Sequence, residues 1–422
     1  MSWSKWTNCL QHAESRRNAC SRETCFKLTN DPDSTDWRSG LAAPTHTTTE
    51  AEDLSGWCEQ LVASLQPPET DAAARAAFVQ HLRTVLAPLL TPVGGTLDVF
   101  GSSATGLHLP GADVDLVLSL GKDTNREING EIVKRLATQL RSAECSAGFA
   151  AFASVNAIPG ARVPIVTVAS NEFGLTADIS VNNKLPLANT QLLRTYMLID
   201  DRVRRLCYVV KRWAKQRRLS EAFDHTPSSY AWVLLVIFYG QQQGLLPNLQ
   251  QDHDANTPLF NAEFLTPDRR RVRCRFCTDV DAASRRLAEA ASSRLTGQGG
   301  PAVKAEATDG GGAEASLGAL VLGFFQWLAR ADLQRHIISI RAGVALDASS
   351  KHWGAGTHGG RSKERHLFQI EVSRKLAYIV YDGGGVASPR PGMTCAQAPT
   401  LAPAHAHPIR TPSISSTTSG AL

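Results

Sequence analysis

The chain lacks any long apolar run, although 43% of its 422 residues are apolar. Its longest such run, around residues 232–239, is far shorter than the ~18 residues of a membrane-spanning helix. We therefore expect a soluble protein without a membrane interaction. Its length and apolar content are typical of a globular protein with two or three domains.

Cysteine patterns that are typical of zinc sites are also missing. The nine cysteines are scattered, and only Cys274 and Cys277 form a CxxC pair, which cannot by itself fill a tetrahedral zinc site. Scattered thiols fit a reducing, intracellular compartment. Because the N-terminal arginines alternate with acidic residues, unlike those of a transit peptide, we expect the cytoplasm, with the mitochondrion as the alternative.

Charge of one sign is not in large excess. A net charge of +5 permits a phosphate-bearing partner such as RNA but does not by itself predict nucleic-acid binding. Function therefore has to be inferred from local motifs.

The most informative stretch is residues 100–118. An apolar strand ends in the small-residue turn Gly101-Ser102, a loop follows, and a second strand opens with Asp113 and Asp115. Since strand side chains alternate between faces, the two carboxylates point the same way. Adjacent carboxylates repel each other unless a cation lies between them, and such oxygen ligands suit Mg²⁺ or Mn²⁺. The alternative is an ordinary hairpin with an Asp-Val-Asp end.

The Gly101-Ser102 turn adds what a triphosphate needs, namely a hydroxyl and backbone N–H groups without a Cβ in the way. A third carboxylate, Asp178, lies on the polar face of a strand-like run over residues 174–181. Three aspartates on neighbouring strands could hold two metal ions ~3.5–4 Å apart, and Asp178 is the best candidate for a general base. The alternative for Asp178 is a strand-end residue that caps a turn.

Hydrophobic periodicity predicts an α/β layer followed by helices. The first part is expected to have helices over 50–65, 70–90 and 125–140 and strands over 96–100, 114–120, 162–169 and 175–181. The second part is expected to have helices over 191–199, 203–217, 229–243, 279–295 and 317–329, and a strand over 336–341. Residues 297–315 and 349–365, rich in glycine, predict a flexible insertion and a loop.

The helix over 203–217 carries Lys211 and Lys215 four residues apart and hence on one face. A solvated basic face is the usual explanation for such a run, but aromatic residues interleave with it, so the lysine pair can be aimed at a phosphate chain. Ser229 stands at the next helix start, where it could cap the helix, bind a phosphate, or both.

Together these motifs resemble the terminal uridylyltransferases and their poly(A) polymerase relatives within the DNA polymerase beta-like nucleotidyltransferases. The resemblance covers roughly residues 50–371. Its most specific parts are Asp178-Ile179-Ser180-Val181-Asn182-Asn183, Asn189-Thr190, Lys211, Lys215 and Ser229-Tyr230. It implies an α+β fold, with a nucleotidyltransferase palm of mixed sheet and helices and a mostly helical poly(A)-polymerase-associated domain.

The resemblance also implies roles for individual residues. The metal ligands would be Asp113, Asp115 and Asp178. The phosphate contacts would be Gly101, Ser102, Lys211, Lys215 and Ser229. Asn183, and either Asn189 or Thr190, would meet the ribose hydroxyl or the base edge, and Tyr230 would stack on the base.

One departure concerns base recognition and the C-terminal end. Relatives usually have Glu-Asp-Pro-Phe after a strand, where this chain has Phe368-Gln369-Ile370-Glu371 followed by Val372-Ser373. The codons GAG-GTG-AGC would encode residues 371–373 and contain a 5′ splice-site consensus. We therefore predict that 372–422 is a disordered or aberrant tail from a retained intron or a mis-predicted gene model, and a lineage-specific tail is the alternative.

The expected organisation is a disordered segment 1–50, a catalytic domain 51–190, a helical nucleotide-binding domain 191–371 and the tail. The expected activity is template-independent, Mg²⁺-dependent addition of nucleotides to an RNA 3′ end, with UTP favoured over ATP. A poly(A) polymerase and an inactive RNA-binding homologue are the alternatives. No separate RNA-recognition module is visible, so the cleft or a protein partner is expected to hold the RNA.

Overall fold

A computed structural model describes residues 48–143, 151–220, 226–251, 257–265, 271–295, 315–333, 335–347, 366–373 and 376–381. The described residues fall in one compact unit that ends at Gly383. The predicted N-terminal disorder, most of the insertion 297–315 and the loop 349–365 lie outside the described residues. No helix among the described residues has the length and apolarity to cross a membrane.

Two helices precede the sheet, as predicted: α1 (Thr48–Leu65) and α2 (Glu69–Leu90). Pro68 starts α2 in an extended conformation, and Glu69 and Asp71 occupy the first turn, where negative charge stabilises the helix dipole. The face of α2 that contains Phe78, Leu82 and Leu86 is buried. A short 3₁₀ turn, Thr91–Val93, leads into the sheet.

A five-stranded mixed sheet forms the core of the first half. Its strands are β1 (Thr96–Phe100), β2 (Val114–Ser119), β3 (Ser154–Ile158), β4 (Ile165–Ser170) and β5 (Leu175–Val181). Their order is β1-β2-β5-β4-β3, with β2 and β5 parallel and the other pairs antiparallel. The predicted bounds of β1 and β5 are confirmed. The sequence did not predict β3, and β4 starts three residues later than expected.

Two helices connect these strands, one of five residues and one of sixteen. Residues Gly101–Thr105, expected as a turn, form the one-turn helix α3. The helix α4 (Arg126–Arg141) crosses from β2 to β3, and the Asn125 side chain caps its start by accepting from the Ile128 N–H at 2.9 Å.

The second half is mainly helical, as predicted. Its helices are α5 (Leu185–Ile199), α6 (Asp201–Gln216), α7 (Ser229–Gln242), α8 (Val280–Leu295) and α9 (Leu317–Arg330). The start of α5 lies six residues before the predicted one, at a Leu-Pro pair that suits the first helical positions. A domain boundary at residue 190 therefore falls inside a helix.

The apolar residues form two buried clusters. One lies between the five-stranded sheet, α2 and α4, and the other among the helices of the second half. Residues of α1 such as Val62, and Leu107 and Leu109 from the loop before β2, belong to the helical cluster. Segments of the first half therefore pack into the core of the second half.

Two further sheets complete the fold. One is a two-stranded hairpin of β6 (Leu259–Leu265) and β7 (Arg271–Cys277). The other has four strands in the order β11-β10-β8-β9, namely β8 (His336–Ser339), β9 (Val344–Asp347), β10 (His366–Ser373) and β11 (Leu376–Tyr381). The sequence predicted only β8 among these strands. The expectation that the tail from residue 372 is disordered is wrong for 372, 373 and 376–381, which form strands, and its origin from a retained intron or a mis-predicted gene model stays a prediction. Residues 382–422 lie outside the described part.

Candidate functional site

A cavity of about 500 Å³ opens where the strand ends of the five-stranded sheet face the helices. This volume lies within the usual range for small-molecule sites, ~300–1,000 Å³. Most of the residues singled out in the sequence line it: Gly101, Ser102, Asp113, Asp115, Asn189, Thr190, Lys211, Lys215, Ser229 and Tyr230. The fold therefore brings together motifs that are up to 129 positions apart (230 minus 101).

The sheet side of the cavity is acidic. Asp115 lies on β2 directly opposite Asp178 on the parallel strand β5, and on its other side it faces Phe100 of β1. Asp113 precedes the first residue of β2 by one position and also lines the cavity. The parallel register of β2 and β5 is therefore what places the third carboxylate beside the first two.

The pKa values of Asp113 and Asp115 are both raised. Burial raises the pKa of Asp115 to about 6, and the nearby charges of Asp178 and Asp113 act in the same direction. Burial and Asp178 also raise the pKa of Asp113, while Lys215 and Arg75 oppose the shift. Like charges held this close disfavour ionisation, which is the electrostatic condition that a bound cation relieves.

The three carboxylates are not gathered into a coordination sphere. No three His, Cys, Asp or Glu side chains converge on a common metal position in the described ranges. At Asp178, Oδ1 accepts a hydrogen bond from the Thr167 hydroxyl at 2.7 Å. The chemistry of the donor set nevertheless fits a hard divalent cation, because it consists of carboxylate oxygens alone on adjacent strands.

Gly101 is required at the junction of β1 and α3 for two reasons. Its φ of +70° lies in the left-handed region, and a Cβ built on it would lie 2.2 Å from Oδ2 of Asp115. Its N–H donates to Oγ1 of Thr190 at 2.9 Å, which ties the turn to α5. Thr190 therefore positions the turn, and the Gly101 N–H is already used within the protein.

The helix side of the cavity is basic. Lys211 is only 7% exposed, and its Nζ donates to the carbonyl of Leu107. Burial lowers the pKa of Lys211 to about 8, an effect that Lys215 reinforces and Cys207 and Asp115 oppose. Lys215 lies one turn further along α6 and lines the same cavity.

The start of α7 forms the third wall. Ser228, rather than Ser229, is the N-cap, since its Oγ accepts from the Ala231 N–H at 3.3 Å. Of the two expected roles for Ser229, the capping role is therefore wrong. The Ser229 hydroxyl lies 2.7 Å from that of Ser220, and both residues line the cavity.

Asn183 does not line the cavity, within the part of the chain that the structure describes. Its neighbour Asn182 has a φ of +51° and braces the loop after β2. The Asn182 Oδ1 accepts from the Leu120 N–H at 2.7 Å, and its Nδ2 donates to the Lys122 carbonyl at 3.0 Å. Asparagine tolerates this backbone conformation better than most residues, which explains the Asn-Asn pair in part as a loop clamp.

A buried brace behind the site was missed by the sequence reading. The Arg75 guanidinium on α2 donates to the Asp71 carboxylate at 2.7 Å, to the Ser103 hydroxyl at 3.2 Å and to the Ala112 carbonyl at 2.8 Å. His108 approaches the same Asp71 oxygen at 2.8 Å. Asp71 and Arg75 are one helical turn apart, but nothing in their local sequence indicates that they hold the loop leading to Asp113.

The first half of the chain is similar to a known protein family. Residues 54–198 match the family model of the central palm domain of mitochondrial-like poly(A) RNA polymerases. The poly(A) RNA polymerase cid11 of Schizosaccharomyces pombe is 32% identical over 195 residues, 46% of this chain and 38% of that protein. Human terminal uridylyltransferase 7 is 31% identical over 198 residues, 46% of this chain and 13% of that protein. This chain thus spans well under half of the length of these relatives.

Solved structures share the fold. The crystal structure of the Cid1 poly(U) polymerase superposes with a TM-score of 0.56 at 21% identity, over 76% of this chain and 85% of that one. Cid1 has also been determined with the UTP analogue UMPNPP, with the product ApU and with Mg-bound 3′-dATP. One chain of a GLD-2/RNP-8 complex matches with a TM-score of 0.51 at 23% identity, over 71% of this chain and 82% of that one. The predicted resemblance and the α+β nucleotidyltransferase fold are therefore confirmed.

Proposed function

We propose that this chain is a template-independent RNA 3′-terminal nucleotidyltransferase that adds UMP from UTP. The observation that carries the proposal is a single cavity with an acidic sheet wall and a basic helix wall. Asp113 and Asp115 line one side, and Lys211 and Lys215 line the other. Transfer of a nucleotidyl group needs both charges, because the phosphates and the attacking hydroxyl both have to be neutralised and positioned.

The aspartates would hold one or two divalent cations, Mg²⁺ or Mn²⁺, with Asp113, Asp115 and Asp178 as the ligands. When bound, the cations neutralise the phosphates and lower the pKa of the attacking hydroxyl. The protein's own part is to place the carboxylates. The register of β2 and β5 sets Asp115 beside Asp178, and the Thr167 hydroxyl fixes the orientation of the Asp178 side chain.

In the reaction, the 3′-hydroxyl oxygen of the RNA forms a bond to the α-phosphorus, and the bond from that phosphorus to its bridging oxygen breaks. Pyrophosphate leaves, and Asp178 is the acceptor for the hydroxyl proton. Lys211 and Lys215 hold the leaving phosphates as point charges, with Ser102 and Ser229 as hydroxyl donors. Tyr230, half-buried at the start of α7, stacks on the base, and Asn189 contacts the ribose.

The preference for UTP over ATP rests on the named relatives and structural neighbours rather than on a base-reading contact. The segment that departs from the usual Glu-Asp-Pro-Phe lies in β10, where Gln369, Ile370 and Glu371 pair with β8. Addition of AMP is the second candidate, since cid11 and gld-2 are both named poly(A) RNA polymerases. The cytoplasmic location and a protein partner for RNA targeting stay predictions.

The test is extension of an end-labelled RNA by the purified chain, with each of the four NTPs supplied separately and with Mg²⁺ or Mn²⁺. We expect the longest products with UTP and none after chelation of the metal. The matched control is the double variant Asp113→Asn and Asp115→Asn, purified in parallel to exclude a contaminating enzyme. Longer products with ATP would establish the second candidate. A folded chain that incorporates none of the four nucleotides would refute the proposal.

A further inference from the structure

One face of the β6–β7 hairpin carries three exposed arginines. Arg271, Arg273 and Arg275 occupy alternate positions of β7 and all point to solvent. The residues that alternate with them are buried in the helical cluster: Val272, Cys274 and Phe276. We call the three arginines the arginine row.

The buried face fixes the geometry of this row. Phe276 stacks on Phe260 of the partner strand with ring centroids 4.9 Å apart and an interplanar angle of 19°. Phe260 in turn stacks on Phe264 at 6.3 Å and 10°. Because a slip of one residue would expose these rings, the register of the hairpin is firmly set. The arginines are therefore held by a rigid base even though their side chains are exposed.

The spacing of the row suits a phosphate backbone. Alternate residues on a strand are about 6.6 Å apart, a separation comparable to that of successive phosphates in an extended single strand. Each guanidinium presents a planar set of donors that matches phosphate oxygens bidentately. A straight row of this kind follows an extended strand better than it follows the curved backbone of a duplex.

Glu263 is the one acidic residue opposite the row among the described residues of β6. It lies 2.9 Å from Arg271 and 3.8 Å from Arg273. Arg271 and Arg273 keep side-chain exposures of 77% and 74%, and exposed ion pairs of this kind contribute little stability. Arg275 lies opposite Asn261. The described face thus has three positive charges and one negative charge.

We propose that the arginine row binds the phosphate backbone of the single-stranded RNA whose 3′ end enters the cavity. This inference rests on the proposed function, which supplies RNA as the substrate. The hairpin is anchored on the same apolar cluster that holds Leu193 and Val233 of the cavity wall. The described residues of the exposed face include no aromatic side chain, so the row contacts phosphates without reading bases.

The test compares the wild type with a triple variant in which Arg271, Arg273 and Arg275 are replaced by Gln. Binding of a labelled RNA of about 20 nucleotides is measured by fluorescence anisotropy across a salt series, beside an oligomer of about 4 nucleotides. We expect the long RNA to bind about tenfold more weakly and the slope of log Kd against log salt to fall by about 2, which is ~0.7 for each lost contact. The short oligomer and the KM for UTP should stay unchanged.

Two controls separate the row from net charge. A variant with Lys134, Arg135 and Arg162 replaced by Gln removes three exposed charges from the palm and should keep wild-type binding. Replacing the three arginines of the row by Lys should keep most of the salt slope, because the charges remain. Equal losses in the row and palm variants, or no loss in the row variant, would overturn the proposal.

Glu263→Gln gives the sharpest discrimination. If the row serves only to pair with Glu263, this change weakens the hairpin and does not improve RNA binding. If the row binds phosphates, the same change frees Arg271 and Arg273, and the long RNA binds two- to fivefold more tightly. Weaker or unchanged binding would count against the proposal.

The outcome is independent of catalysis, because anisotropy is measured without nucleotide. A wild-type chain that binds RNA through the row but incorporates no NTP would refute the proposed function and leave the row intact. A chain that extends RNA normally after loss of the three arginines, with unchanged KM for the long RNA, would refute the row alone.

Discussion

The two charged walls of the cavity are built by different means. On the sheet wall, strand register places Asp115 beside Asp178 of β5, and Gly101 leaves the space that the Asp115 carboxylate occupies. On the helix wall, Lys211 is placed by burial and by a hydrogen bond to the carbonyl of Leu107, which lies 104 positions earlier in the chain. The sheet wall thus depends on the pairing of two strands, and the helix wall depends on the burial of one side chain against a distant loop.

This difference teaches which changes each wall should tolerate. On the sheet wall the carboxylates lie close together, so their ionised forms repel each other. Removing one carboxylate therefore relieves repulsion. The helix wall holds a buried cation against a carbonyl, so removing the lysine leaves both a space and an acceptor without its donor. Loss of activity should therefore be separable from loss of stability on the sheet wall and coupled to it on the helix wall.

The largest effect is expected at Asp115. Asp115→Asn should lower the rate of nucleotide addition by on the order of 10³-fold or more, since a metal ligand and its charge are lost. The metal-free protein should be at least as stable as the wild type, which thermal unfolding in EDTA measures. Clear destabilisation, or activity above a few per cent of wild type, would contradict the assignment of Asp115.

A change at Gly101 should be the next most severe. In Gly101→Ala the new Cβ meets the Asp115 carboxylate and the backbone is held at a positive φ, which costs ~1–2 kcal/mol for a residue with a side chain. The displaced carboxylate should reduce kcat by about 10²-fold. Gly106→Ala is the matched control, because Gly106 also has a positive φ but a Cβ there has open space. Similar kcat losses in both variants would rule out the contact with Asp115 as the cause.

The helix wall can be tested through the pH dependence that Lys211 imposes on UTP binding and on stability. Its pKa of about 8 lies below the ordinary 10.5, so the lysine loses its charge as the pH rises through 8, and the KM for UTP should increase. The stability of the fold should increase over the same range, so UTP binding weakens while the protein becomes harder to unfold. Between pH 8 and 10.5 the unfolded state binds a proton that the folded state does not, so this group's contribution to stability rises with pH.

Lys211→Met should remove both trends and raise the KM for UTP about tenfold at pH 7, since a charge-assisted contact to phosphate is lost. Urea unfolding and initial rates, each measured between pH 7 and 10, provide the check. The exposed Lys134→Met serves as the control and should retain both pH trends. A wild-type KM that is flat across this range would contradict the role of Lys211.

Substitution of Arg75 tests whether the loop that leads to Asp113 depends on the contacts that Arg75 makes with it. Arg75→Gln should lower kcat about tenfold with little change in the KM for UTP, because the guanidinium contacts the loop and not the cavity. Arg75→Lys keeps a cation near Asp71 but not the fork that also reaches Ala112, so it should restore stability more than kcat. Recovery of both to the same extent would indicate a purely structural role.

The smallest effect on kcat is expected at Tyr230. Tyr230→Ala removes a stacking contact of ~1–3 kcal/mol that does not distinguish between bases. The KM should rise by a similar factor for UTP and ATP, while Tyr230→Phe stays near wild type. A strong change in the ratio of U to A incorporation would show that Tyr230 reads the base.

Some of the strands and helices could be predicted from the sequence, and others could not. The strands β1 and β5 alternate apolar and polar residues cleanly, and their predicted bounds are confirmed. The strands β3 and β7 were missed although they alternate as well: Ser-Val-Asn-Ala-Ile is a short strand at the edge of its sheet, and β7 has a charged arginine at every second position over residues 271–275. Helices with a strong apolar stripe, such as α9, were predicted to within a residue at the C-terminal end.

At the site, the pairs Asp113–Asp115 and Lys211–Lys215 could be predicted because the spacing within each pair puts both side chains on one face. The contacts that tie distant segments together could not. The hydrogen bond from Gly101 to Thr190, the Asp71–Arg75–His108 brace and the exclusion of Asn183 from the cavity depend on tertiary packing. No local pattern encodes them.

The Gly101–Thr190 hydrogen bond makes one backbone amide a reporter of cleft motion. The donor stands at the start of the phosphate turn and the acceptor on α5, so any separation of the turn from that helix exposes this N–H to solvent. Its hydrogen-exchange rate therefore measures how often the cleft opens, without a label and without turnover. In a Thr190→Val variant of nearly the same shape, the amide exchanges freely, and the ratio of the wild-type rate to the variant rate gives the fraction of time that the cleft is open.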